Sequence, residues 1–152
     1  MNIQRVKQGA SITFYNGMYM IFLGIFFIFF TNFNMKNNFN GAKIGLPWGF
    51  FSTYNADVAY LFLLFNIIIG LFLIASGICI MYLSDFIYKR KEKFTWVVLF
   101  LSGIIVWAGL LTIFILMKNI ILMILIFIGW ASFVFGMLIP IQYYLEKEYR
   151  EY

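Results

Sequence analysis

Few side chains in this sequence can do chemistry, and their placement narrows what that chemistry could be. The 152 residues contain no His and a single Cys, Cys79, set within an apolar run. Bis-imidazole haem binding, histidine metal sites and histidine acid–base catalysis are therefore excluded. A redox thiol pair or a disulfide-pinned loop needs two cysteines, which this chain does not supply. Cys79 reads as a small buried hydrophobe. The two aspartates, Asp57 and Asp85, stand at opposite ends of one apolar run, too far apart for clustered-carboxylate phosphotransfer. No carboxylate lies deep in an apolar run, where proton-coupled carriers place theirs. These residues predict no enzyme, no metal and no cofactor.

The polar groups that do fall inside apolar runs are amides, hydroxyls and indoles. Asn66 could coordinate a cation or hold a lipid head group, but such a residue more often bonds across a helix interface, for about 0.6 to 2 kcal/mol. Ser76 is grouped with it as a candidate buried contact. Asn16 lies near the start of its run. Trp107 and Trp130 share one depth and could line a pocket for a flat ligand. Trp107 is about 200° around a helix from Gly109, which predicts that it points to lipid or to a partner subunit. The basic cluster Lys89, Arg90, Lys91 and Lys93 offers lipid-head contacts of about 1 kcal/mol per cation.

The elements that position these groups follow from composition. The chain is 64% hydrophobic and 11% charged, far from the roughly 25% charge of soluble domains. Runs of about 20 apolar residues suffice to cross a bilayer core, and without strand alternation they must do so as helices. Four such spans are expected, at about 11–31, 58–83, 94–117 and 120–141, in one membrane domain over 1–152. Residues 94–141 form a hairpin whose only charge is Lys118. Asn tolerates the left-handed conformation that ends a helix, which makes Lys118-Asn119 the turn. The first span resembles a signal peptide but is too long and lacks a small-x-small cleavage site, so it is read as retained.

Residues 32–57 are predicted as a long extracytoplasmic loop, rich in Asn and interrupted at 44–51 by Pro47, Trp48 and two glycines. Pro47 opposes a continuous helix there, and the segment is read as an interfacial anchor before a lid. Glycines recur seven residues apart: Gly17 and Gly24, Gly70 and Gly77, Gly129 and Gly136, with Ser102 and Gly109 in the third span. Equal depth in the hairpin sets Ser102 beside Phe135 and Gly109 beside Ile128. Small residues let membrane helices approach closely, so these eight positions are the predicted helix-packing sites, with the third and fourth spans joined through Ser102, Gly109, Gly129 and Gly136.

Cations in the flanks set orientation. Arg5, Lys7, Lys89, Arg90, Lys91, Lys93, Lys147 and Arg150 lie on one side, against Lys36, Lys43 and Lys118 on the other. That asymmetry predicts both termini in the cytoplasm and a plasma-membrane location. It also explains the net charge of +5 without nucleic acid. Tyr82, Tyr88, Trp96, Tyr143 and Tyr144 then form an aromatic belt on that side. The resulting expectation is an all-α integral membrane protein, a four-helix antiparallel bundle. Its expected role is a non-catalytic accessory or structural subunit, with membrane lipids and other subunits or further copies as partners. The alternative is a homo-oligomeric carrier or channel for neutral or lipid-like solutes.

Overall fold

The computed structural model describes residues 2–41, 46–90 and 92–146, and these form seven helices: α1 (Asn2–Phe29), α2 (Thr31–Gly41), α3 (Trp48–Tyr54), α4 (Ala56–Arg90), α5 (Lys93–Leu116), α6 (Ile120–Leu138) and α7 (Ile141–Glu146). Four of them, α1, α4, α5 and α6, are long and apolar enough to cross a membrane. At 1.5 Å per residue the 19 residues of α6 span about 28 Å and the 35 of α4 about 52 Å. The first nearly matches a hydrocarbon core of about 30 Å; the second exceeds it.

The segment expected as an outer loop is largely helical. Residues 31–41 and 48–54 are helices α2 and α3. The α1–α2 junction falls at Phe30, where the Thr31 hydroxyl reaches back to the carbonyls of Phe27 and Ile28 at 2.8 Å each. Back-bonding of this kind bends helices. Helical hydrogen bonds from Phe30 N–H to Phe26 O and from Asn34 N–H to Phe30 O carry the chain through it. Pro47 starts α3, at a φ of −68°. Residues 44–45 of the suspected anchor lie outside the described residues. Trp48 turns inward against Phe39, with ring centroids 4.8 Å apart, in a small second core with Met35 and Ala59. Phe50 and Tyr54 stack on each other facing out instead.

The hairpin turn falls where expected, with the two residues in exchanged roles. Lys118, not Asn119, takes the left-handed conformation, at φ 54°. Lys118 N–H bonds Ile115 O and Asn119 N–H bonds Phe114 O, the paired closure that satisfies a helix's last carbonyls. Asn119 then caps α6, its side chain accepting from Leu122 N–H at 3.2 Å. At the other end of α6 the chain turns at Ile139-Pro140 before α7.

The central element is α1, and it explains the arrangement. One stripe of it, Val6, Gly9, Thr13, Asn16, Met20, Leu23 and Phe27, is buried at three- and four-residue spacing, the signature of a helix face turned to a core. A second face carries Gly17 and Gly24 against α4. A Cβ on Gly24 would stand 2.5 Å from the Gly70 carbonyl oxygen, and one on Gly77 would stand 2.6 Å from that of Gly17. The two backbones therefore touch, with Gly17 opposite Gly77 and Gly24 opposite Gly70.

Candidate functional site

The α5–α6 hairpin closes differently from the glycine seam expected for it. Its helices meet at the expected depth, but α5 presents its other face. Gly103 receives the Phe133 ring and Gly129 receives the Trp107 ring. Ser102 and Gly109 face outward, and a Cβ on Gly109 would meet nothing within 4 Å. Gly136 packs on Thr13 of α1, not on α5. The physical reason is complementarity: a large ring set into a glycine notch buries more apolar surface than two small residues face to face. Because Gly109 and Trp107 lie on opposite faces, turning one out turns the other in. Trp107 is therefore 0% exposed, against the expectation that it meets lipid or a neighbour.

At this depth the bundle interior holds a buried amide, Asn16. Its Nδ2 donates to Gly129 O at 2.7 Å and to Ser132 Oγ at 2.8 Å. Its Oδ1 accepts the Trp107 indole N–H at 3.3 Å. Tyr19, one turn on, stacks on Trp107 and donates to Leu125 O at 2.9 Å. One amide thus ties α1, α5 and α6 together with both donors and its acceptor engaged. Both N–H donors and one of the two lone pairs of Oδ1 are thus held within the bundle.

Asn66, the candidate singled out by sequence, is buried on α4 and donates to Phe27 O at 2.8 Å, beside the Thr31 hydroxyl. It thereby braces the α1–α2 junction. Beyond that junction lies a second amide group. Thr31, Asn34 and Asn38 share the inward face of α2, while Phe33 and Lys36 face out. Asn119 Nδ2 donates to Asn38 Oδ1 at 2.6 Å. Asn34 is 1% exposed, and among the described residues neither its Oδ1 nor its Nδ2 meets a hydrogen-bonding atom.

Around α1 the long helices follow the order α4, α1, α6, α5, and α4 meets α5 only sparsely. Between those two runs a lateral cleft of about 250 Å³, lined by Ala75, Ser76, Cys79, Ser102 and Gly103 among others. Ser76 and Cys79 thus belong to a cleft wall, and Cys79 is exposed, contrary to its reading as buried. Inside the bundle, a void beside Thr13, Trp96, Met137 and Tyr144 holds about 10 Å³, room for at most one water molecule.

The charged groups gather where α1 begins and α4 ends. Lys89 pairs with Asp85 at 2.7 Å on the surface, and that hydrogen bond and charge hold its ammonium above the usual lysine range. The Arg90 guanidinium lies 4.9 Å over the Phe86 ring. Lys91 lies outside the described residues. Lys7, Ser11, Tyr15 and Asp85 line one cleft here, and Arg5, which donates to Gln142 Oε1 at 2.6 Å, lines another with Gln8. Two members of the expected aromatic belt are interior. Trp96 donates to Met137 O and stacks on Tyr144, which is 1% exposed. Burial, with Tyr143 beside it, raises the Tyr144 phenol well above its usual range. Among the described residues no three His, Cys, Asp or Glu side chains come together.

Asn16, Asn34, Asn38 and Asn119 escaped the site prediction. Asn16 and Thr13 do fall on the apolar stripe of α1, a periodicity that could have marked them. Nothing local announced that α2 would fold its amides inward. Together these features define an all-helical protein with four helices that could cross a membrane and an interior joined by amides. Comparison with protein-family models, with curated proteins and with solved structures finds no match to this chain.

Proposed function

We propose that this chain is an integral membrane protein working as a small non-catalytic accessory or structural subunit, packed against other membrane chains. The observation that carries the reading is the lateral cleft between α4 and α5. Its small-residue walls have the composition of a close helix contact, and the chain's own helices leave it uncovered. The interior amide Asn16, by contrast, directs both donors and its Oδ1 to its own chain. In this reading the end bearing Arg5, Lys7, Lys89 and Arg90 faces the cytoplasm, and Lys89, Arg90, Lys91 and Lys93 sit at lipid head groups. The carrier alternative has less support, because the roughly 10 Å³ void offers no path through one bundle.

The test is the mass of the intact particle in a mild, lipid-retaining detergent. Wild-type protein should run as a stoichiometric complex with other chains. Ser102→Phe, which fills the cleft from its exposed wall, should release the free chain with its melting temperature unchanged. A monomer or homo-oligomer carrying a stoichiometric small molecule overturns the subunit reading and installs the carrier.

A further inference from the structure

Asn34 is the most anomalous group among the described residues. A buried amide without partners loses its hydration and regains nothing, which folded chains avoid. Here both ends of the amide are in that condition at once. The inward side of α2 is mixed: it carries Thr31, Asn34 and Asn38 together with Met35 and Phe39, which pack in the small apolar core with Trp48. Asn38 and Asn119 engage each other, and Asn119 also caps α6. Asn34, one turn before Asn38, is left over.

We propose that Asn34 is the polar anchor of a binding site beneath α2 for a neutral hydroxyl group. The amide itself selects this chemistry. Oδ1 needs a donor and Nδ2 an acceptor, and a hydroxyl is both. A metal cation would engage Oδ1 alone and leave Nδ2 stranded, and an anion would do the reverse. The amino-terminal end of α6, capped by Asn119, further opposes a cation. The hydroxyl comes from solvent water or from a small alcohol or lipid hydroxyl. In either case α2 serves as the cap that holds it, which gives this inward-turned polar helix a purpose. The inference is independent of the subunit reading, since it concerns the opposite end of α1 from the cationic clefts and does not involve the α4–α5 cleft.

Two measurements on the full chain in lipid nanodiscs decide it. Asn34→Leu, close to isosteric, should lower the melting temperature by about 3 °C or more, because it expels the bound hydroxyl. A rise in melting temperature, the result for a merely stranded amide, overturns the proposal. The second uses wild-type protein labelled with ¹⁵N-asparagine, with Asn34→Asp supplying the assignment should Asn34→Leu not fold. The Asn34 Nδ2 protons should show cross-peaks to a non-protein hydroxyl. A partner at the water frequency identifies solvent, and one with carbon-bound neighbours identifies an alcohol or lipid. Cross-peaks to protein protons alone overturn the site.

Discussion

Replacing Asn16 with Leu tests the reasoning about the bundle most directly. The side chain keeps its approximate shape and loses its amide. Three interhelical hydrogen bonds disappear, to Gly129 O, Ser132 Oγ and the Trp107 indole. Such bonds average about 0.6 kcal/mol in membrane proteins and reach about 1.7, so the direct loss is about 2 kcal/mol. Gly129 O keeps the Ser132 hydroxyl at 3.0 Å and is not orphaned. The Trp107 N–H is buried and has no substitute, which adds about 1 kcal/mol or more. The expected total is about 3 kcal/mol, or roughly 6–12 °C in melting temperature for a chain of this size. Unfolding in mild detergent, followed by tryptophan fluorescence, measures it. A double-mutant cycle with Trp107→Phe should return a coupling of about 0.6 to 1.7 kcal/mol. A loss below about 0.5 kcal/mol, or zero coupling, refutes the three-helix role assigned to this amide.

Three further outcomes follow from the same contacts. Gly24→Leu should strongly lower the melting temperature, since even a Cβ there reaches 2.5 Å from the Gly70 carbonyl, whereas Gly109→Ala meets open space and should be neutral or stabilising by up to about 1 kcal/mol; equal tolerance at the two sites defeats the packing scheme. Asn119→Ala removes both the α6 cap and the bond to Asn38, and thermal unfolding should show a loss of about 1 to 2 kcal/mol. The buried Tyr144 has a folded-state pKa above its unfolded one. Its contribution to stability is thus complete below about pH 10 and falls as pH rises beyond it. Melting temperatures across alkaline pH should decline less steeply in Tyr144→Phe, and identical slopes would count against a buried phenol.

The number of long helices was legible because apolar length alone specifies a membrane-compatible helix. So was the turn at 118–119, since a charged residue followed by Asn interrupts an otherwise apolar run. The face of α5 was not legible. Helical arithmetic places Trp107 and Gly109 on opposite sides and is silent on which side meets α6. Favouring the glycines followed the rule that small residues mark interfaces. That rule describes the geometry at α1 and α4, where Gly24 and Gly70 bring backbone against backbone. It misleads at α5 and α6, where Gly103 and Gly129 are each a notch for a ring from the other helix and Gly109 meets nothing. The distinguishing feature is the partner residue at matching depth: a glycine opposite Gly17 and Gly24, a Phe or Trp opposite Gly103 and Gly129.

The helix with the most polar first half is also the hub, and this inverts the usual expectation that the least apolar span sits at the edge. In the bilayer proposed for this chain, whose core offers no hydrogen bonds, a polar group is tolerated only where other helices surround it. Thr13, Asn16 and Tyr19 therefore draw α1 inward, and Gly17 and Gly24 on its other face let α4 close over it. The purely apolar faces of α4 and α5 have no such requirement and are free to remain outside. Once α1 has α6 on one side and α4 on the other, α5 follows α6 through the hairpin turn. The α4–α5 cleft is the gap that this order leaves, so the placement of Asn16 at the centre and the opening at the side have one cause.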